Sequence, residues 1–179
     1  MKISKVVVRR MSLDFKVPFR TSFGLNTTKD FSIVELHDSD GNVGYGACSA
    51  FMRPWYNEET TMGKEYLIPA LFDAGDFKDP EWFFDHTSWI RRNRMARASV
   101  DCALWELYSK ELGIPEYKAL GGVKDSVEAG VSLGIEDTPD KLLATIEKYM
   151  KQGYRRVKCK IKPGYDINYM RAVRKEYGD

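Results

Sequence analysis

Apolar and polar side chains alternate along residues 2–13, around Ile3, Val6, Val8 and Met11, and again along residues 31–37, around Ile33, Val34 and Leu36. Period-two alternation puts successive side chains on opposite faces of an extended chain, so both stretches are predicted to be strands. Asp38-Ser39-Asp40-Gly41-Asn42 then turns the chain into a third strand over residues 43–48, with Gly41 supplying the positive φ of a tight turn. The expected result is a three-stranded antiparallel meander. Between the first two strands, residues 17–26 read V-P-F-R-T-S-F-G-L-N. Pro18 and Gly24 should break regular structure there, leaving a loop whose Phe19 and Phe23 either form a lid or tuck into the core.

Helical periodicity follows. Asn57 is expected to cap a helix carrying Met62, Tyr66, Leu67 and Leu71, with Pro69 limiting its last turn. Asp79, with Pro80 at the first helical position, opens a second helix through Trp82, Phe83 and Trp89. Residues 94–112 are apolar on most faces, rich in small side chains and closed by Gly113, which predicts a central, close-packed helix. Asp101 and Glu106 on that helix are five positions apart and do not share a face, so structural pairing rather than chemistry is expected of them. His37 at a strand end and His86 on a surface helix have no evident partner that would make either a ligand or a base.

After Gly121-Gly122 the rhythm changes. Residues 127–135 read as a strand, and Thr138-Pro139-Asp140 opens a helix with Leu142, Leu143, Ile146, Tyr149 and Met150 on one face, ended by Gly153. Residues 155–164, R-R-V-K-C-K-I-K-P-G, then place Arg156, Lys158, Lys160 and Lys162 on one face and Val157, Cys159 and Ile161 on the other. An antiparallel strand would leave that cationic face in water. A parallel strand buried on both faces would turn the two middle lysines inward, which is costly unless they are paired or used. A Pro163-Gly164 turn, Asp166 as a cap and a helix to Tyr177 complete a β-α-β-α series, which signals a parallel sheet. The expected division is a domain over residues 1–122 and another over 123–179. Two parallel strands cannot cover their own faces and a closed (β/α)8 barrel takes about 250 residues, so the barrel is expected to be incomplete here, with more of it downstream.

Composition narrows the function classes. Of 179 residues, 43% are hydrophobic and 13% aromatic, enough for a packed core. Twenty-eight basic against 26 acidic residues give a net charge of +2, too balanced to call for nucleic acid or an anionic membrane. Only three consecutive apolar residues occur near the N-terminus, and no run approaches the roughly 20 that span a bilayer, so a cytoplasmic location is expected. Cys48, Cys102 and Cys159 are widely spaced with no CxxC or Cys/His cluster, which supports neither a disulfide framework nor a zinc site; reduced core cysteines are expected.

Five stretches occurring in order carry a resemblance: P-F-R-T-S-F-G at 18–24, G-Y-G at 44–46 followed by P-W-Y-N-E-E at 54–59, A-x-x-D-x-A-L-W-E-L at 98–107, L-G-G at 120–122 and K-C-K at 158–160. Together they resemble the muconate-lactonising branch of the enolase superfamily, most closely its o-succinylbenzoate synthases and N-succinylamino acid racemases. Ala47 stands where many members carry Glu, at a position that is not catalytic. The resemblance implies an α+β capping domain followed by the first two βα units of a (β/α)8 barrel. It also implies abstraction of the proton α to a carboxylate, with Mg2+ or Mn2+ holding the enediolate. Lys160 would be the acid/base. Lys158, two residues along on the same face, would help hold the carboxylate and by like-charge repulsion make Lys160 shed its proton more readily. Residues 17–26 would close over the non-reacting end of the substrate, Phe19 and Phe23 would supply apolar wall, and Met52, Tyr56 and Ser132 would line the pocket.

The three acidic metal ligands and the opposing lysine of such enzymes would lie on later barrel strands, beyond Asp179. Asp137, Asp140, Asp166 and Asp179 form no substitute triad and are expected at helix caps and the terminus. The implied activities are dehydration to o-succinylbenzoate in menaquinone synthesis, racemisation of N-acyl amino acids, or both, on a small carboxylate substrate in a homo-oligomeric enzyme. The 179-residue chain alone is expected to be inactive, lacking the electrostatic stabilisation of the enediolate. Dipeptide epimerisation and muconate cycloisomerisation are the alternatives within the class. A catalytically inactive fragment acting only by association through unpaired strand edges is the alternative outside it.

Overall fold

A computed structural model describes residues 1–72 and 77–178; Asp179, counted above among the scattered carboxylates, lies outside the described residues. Strands β1 (Ile3–Thr21), β2 (Gly24–Asp38) and β3 (Val43–Cys48) form a sheet in the order β1-β2-β3. This is the expected meander, with β2 and β3 antiparallel in the register Val34↔Gly46 and Leu36↔Gly44. Residues 17–26 are not the expected loop. Both strands run on through them, and only Ser22 and Phe23 form the turn between β1 and β2. Pro18 is tolerated because β1 is an edge strand, where a missing N–H costs no interior ladder bond. At the other turn Gly41 has φ 91, as expected. The Asp38 carboxylate locks this turn, accepting from the Asp40 and Asn42 N–H groups at 2.8 Å and from Asn42 Nδ2 at 2.7 Å.

Helices α1 (Thr61–Ala70), α2 (Pro80–His86), α3 (Arg94–Leu112) and α4 (Glu116–Ala119) follow. Thr60, not Asn57, caps α1, its hydroxyl accepting from Gly63 N at 3.1 Å. Asn57 instead accepts from Glu59 N, which shapes the approach to the helix. Asp79 caps α2 as expected, but this helix ends at His86, leaving Trp89 73% exposed. Helix α3 is the centre of the unit: Val100, Ala103, Leu104 and Leu107 are wholly buried against Val34, Leu36, Ile68 and Phe83. Burying a Leu, Val or Phe side chain is worth about 1.5–3 kcal/mol each, so this cluster dominates the unit's stability.

The G-Y-G stretch has a packing cause. A Cβ built on Gly44 would lie 2.1 Å from the Ala103 carbonyl oxygen, and one on Gly46 would lie 1.8 Å from that of Ser99, so β3 touches the α3 backbone directly. Glu106 of α3 accepts from Tyr45 N and pairs with Lys110 at 2.9 Å, while Lys110 Nζ donates to the Val43 carbonyl at 2.6 Å. Glu106 is therefore structural. Asp101 is half-buried, and burial pushes its carboxyl up, partly offset by the Arg97 charge.

The start of α3 is held from outside the helix. Its N-cap, Asn93, has φ 48 and makes no capping bond with its side chain. The buried Glu59 carboxylate, placed by the segment before α1, instead accepts from Met95 N at 2.9 and 3.0 Å and from Ala96 N at 3.1 Å. An anion at a helix N-terminus is also favoured by the helix dipole.

The described chain packs as two compact units. The first comprises Met1–Leu13 and Asp30–Val123; the second takes the hairpin tip Asp14–Lys29 and the chain from Lys124 onward. In the second unit, β4 (Gly130–Leu133) and β5 (Arg156–Cys159) are parallel, joined through α5 (Pro139–Lys151) and followed by α6 (Asp166–Tyr177). Strand β4 is shorter than the predicted 127–135, and Val127 is 89% exposed. Thr138 caps α5 as the sequence predicts. Asp166 does not cap α6: Tyr165 holds the N-cap position and Asp166 sits in the first turn, where its charge suits the dipole. One face of the two strands packs Val131, Leu133, Val157 and Cys159 against Leu142, Ile146, Tyr169 and Val173.

Two further expectations are corrected. His37 does have a carboxylate partner, Glu35 at 3.2 Å, which Arg9 also engages. Of the cysteines, Cys48 is buried and Cys159 half-buried, but Cys102 is exposed on α3. No helix among the described residues is long and apolar enough to cross a membrane.

Candidate active site

The lysine strand resolves the choice left by its alternation. β5 is parallel to β4, with Ser132 opposite Lys158 and Leu133 opposite Cys159. Alternation then sends Cys159 to the helix-covered face and Lys158 to the other, beside Ser132. The lysines are not buried inside the unit. Lys158 and Ser132 are exposed and Lys160 is half-buried. Lys160 stands just past the end of the strand, yet its N–H still donates to the Leu133 carbonyl at 3.2 Å, which keeps it in register two residues beyond Lys158. Lys162 leans away onto Tyr165, its ammonium 4.0 Å from the ring centroid.

The hairpin tip supplies what covers Lys160. Its ammonium lies 4.8 Å from the centroid of the Phe19 ring, a cation–π distance, and Phe19 is half-buried there. Three contacts bring Phe19 to this place. Ile135 N donates to the Arg20 carbonyl at 3.2 Å, the Arg20 guanidinium bonds the Asp137 carboxylate, and Asn26 Nδ2 reaches back to the Phe19 carbonyl at 3.4 Å. Phe23 stands apart at the turn, 84% exposed. Of the two readings of these rings, neither describes both: Phe19 lies over a charged group and Phe23 lies in solvent.

Phe19, Ser132, Lys158 and Lys160 therefore converge in the second unit. Met52 and Tyr56 belong to the first, where Tyr56 meets Phe51 edge-on at 5.9 Å and both Met52 and Tyr56 are exposed. Among the described residues, no group of three or more His, Cys, Asp or Glu side chains is placed to hold a metal ion. Asp140 lies in the first turn of α5, and Asp137, expected as a cap, is instead an ion-pair acceptor shared by Lys141 and Arg20. Sequence periodicity gave no signal for the Arg20–Asp137 pair, because its partners are 117 positions apart and each is an ordinary surface charge in its own segment.

Hydrogen bonds from Lys141 and Arg20, with their charges, hold the Asp137 carboxyl below the usual carboxylate range. A carboxyl depressed on folding stabilises the folded form above its unfolded value of about 3.9, and that stabilisation fades as pH falls through the lower folded value. Amide exchange of residues 14–29, corrected for its intrinsic pH dependence, should therefore be flat from pH 7 to 5. Faster opening is expected only below about pH 4.

Residues 3–121 match the model of the mandelate racemase / muconate lactonizing enzyme N-terminal domain. The chain is 46% identical to an o-succinylbenzoate synthase of Geobacillus kaustophilus over 99% of its own length and 48% of that protein's. It is 36% identical to an N-succinylamino acid racemase of Thermus thermophilus, again over 99% of this chain and 49% of the relative. Among solved structures it is similar to a dipeptide epimerase of Enterococcus faecalis complexed with Mg and the dipeptide L-Leu-L-Tyr, with a TM-score of 0.86 and 28% identity over 99% of this chain and 51% of that one. The chain spans about half the length of the curated relatives it matches. With the meander, the G-Y-G contact and the match over residues 3–121, this chain belongs to the mandelate racemase / muconate lactonizing enzyme family of the enolase superfamily.

Proposed function

We propose that this chain is the N-terminal part of an o-succinylbenzoate synthase / N-acylamino acid racemase-like enzyme, with residues 1–122 as capping domain and 123–179 as the first two βα units of its barrel. The observation that carries the reading is the Lys158/Lys160 pair at the end of a parallel strand, on the face its helices leave open, beside Ser132 and under Phe19. In this reading Lys160, as the free amine, takes the proton from the carbon α to the substrate carboxylate, and the bond's electron pair moves into the carboxylate as an enediolate. Lys158 offers a second cation on the same face to the carboxylate oxygens. Within the second unit, Phe19 and Ser132 flank the lysines as pocket wall, with Phe23 at the tip of the same hairpin. Collapse of the enediolate expels the β-hydroxyl, which leaves as water with the proton that Lys160 has taken, and gives dehydration. Delivery of a different proton to the opposite face of the α carbon, with Lys160 keeping the first, gives racemisation, so one abstraction serves both outcomes.

Enediolate chemistry of this kind calls for a divalent cation such as Mg2+ or Mn2+, which would stabilise the developing negative charge. The described residues do not fit such an ion. The part given to this chain is that of base, auxiliary cation and pocket wall.

The test is the full-length enzyme with Mg2+ in D2O, offered N-succinyl amino acids, dipeptides and the dehydration substrate in parallel. Deuterium entering the α position of an N-succinyl amino acid, or formation of o-succinylbenzoate, is the expected result. Exchange confined to dipeptides would move the assignment to epimerisation, and no exchange or dehydration with any of them would overturn it.

A further inference from the structure

Lys160 and the hairpin tip meet through two residues with no role in the proton transfer itself. Arg20 follows Phe19 in β1, and its main-chain carbonyl is fixed by Ile135 N at 3.2 Å, just beyond the end of β4. The side chain of Arg20 engages Asp137 two residues further on, and Lys141 Nζ holds the other carboxylate oxygen at 3.1 Å from the first turn of α5. Gly134 lies under this crossing: a Cβ there would be 3.4 Å from Arg20 N and O and 3.8 Å from the Phe19 ring. One short run, residues 134–137, thus meets the tip through main chain, side chain and close packing together. The ring so positioned sits on the Lys160 ammonium.

We propose that the Arg20–Asp137 ion pair is a latch: it holds the hairpin tip down on the β4–α5 turn, and through Phe19 it governs how accessible Lys160 is. Arg20 and Asp137 are positioning residues, acting on Lys160 only by way of Phe19. The geometry makes the latch a modest bias. The side chains of Arg20 and Asp137 are 47% and 54% exposed, and exposed pairs hold a closed form over an open one by a factor of only about two to five. A latch of that strength is closed most of the time and opens readily, which suits a cover that must admit a substrate. The consequence for turnover rests on Lys160 being the base; the latch itself does not.

The test uses chemical labelling of lysines by reductive methylation in the 179-residue chain, read peptide by peptide by mass spectrometry. Arg20→Met and Asp137→Asn should each speed labelling of Lys160 about two- to fivefold while leaving Lys158 unchanged as an internal reference. The double variant should be no faster than either single one, because both remove the same interaction. Arg20→Lys should keep most of the protection. In the full-length enzyme, Arg20→Met should raise KM by a larger factor than it lowers kcat. Unchanged Lys160 labelling in a folded Arg20→Met chain, or additive effects in the double variant, would overturn the latch. The labelling readout needs no catalytic role for Lys160, so failure of the latch and failure of the functional reading are separable.

Discussion

In the full-length enzyme, Lys160→Ala is expected to lower turnover by about a thousandfold or more, within the range set by a positioned general base. Loss of α-proton exchange into solvent deuterium should accompany it to the same degree, since both need the same abstraction. Arginine at this position should be as inactive as alanine, because a guanidinium stays protonated and cannot accept the proton. The fold should survive either change: Lys160 is anchored by its main-chain N–H to Leu133, which a side-chain substitution leaves in place, and its side chain is only half-buried. Lys158→Ala should be milder, reducing carboxylate binding along with the rate. Measuring exchange separately from net turnover is what makes the experiment decisive. Retained exchange in Lys160→Ala would remove this residue from the base role whatever happened to product formation.

The second large effect is structural. Gly46→Ala should destabilise the first unit by about 3 kcal/mol or more, at the upper end of overpacking costs, because the new methyl would lie 1.8 Å from the Ser99 carbonyl oxygen and 2.8 Å from the carbon of the same group. Backbone cannot rotate aside as a side chain can. Either α3 lifts off β3, opening the cluster built on Val34, Leu36, Val100 and Leu104, or β3 bends and loses its ladder with β2. Gly44→Ala meets the Ala103 carbonyl at 2.1 Å and Leu107 Cβ at 2.8 Å and should behave similarly. Urea unfolding followed by tryptophan fluorescence would read the shift. A midpoint equal to that of the parent chain would show that the strand and helix can separate at little cost.

What could be read from the sequence follows the range over which each signal acts. The Asp79-Pro80 start of α2, the Thr138 cap of α5, the Gly113 end of α3 and the positive φ of Gly41 are local, and each lies where the residue types place it. The errors are of two kinds. Thr60 takes the cap expected of Asn57 because several polar residues precede that helix and only three-dimensional placement chooses among them, whereas α6 starts with Asp166 already in its first turn and with no side-chain cap from Tyr165. The 17–26 segment is extended rather than a loop because Pro18 lies in β1, an edge strand that tolerates a missing N–H, while Gly24 stands at the first position of β2, directly after the Ser22-Phe23 turn, and interrupts neither strand. At the site, period two found Lys158 and Lys160 on one face. Neither the Phe19 contact nor the Arg20–Asp137 pair had any local signature, since both depend on a hairpin returning to a segment more than a hundred residues away.

The long β1–β2 hairpin also limits how this protein could be recombined with its relatives. Its base belongs to one unit and its tip to the other, so the polypeptide passes between the units at residues 13/14, 29/30 and 123/124 rather than once. A chimaera joined at the apparent seam near residue 122 would carry a foreign tip onto its new barrel, with the aromatic that covers the proposed base inherited from the wrong parent. Exchanging residues 14–29 together with the barrel would keep the cover and the lysine it covers in one inherited block, and specificity should travel with that pair of segments rather than with either alone.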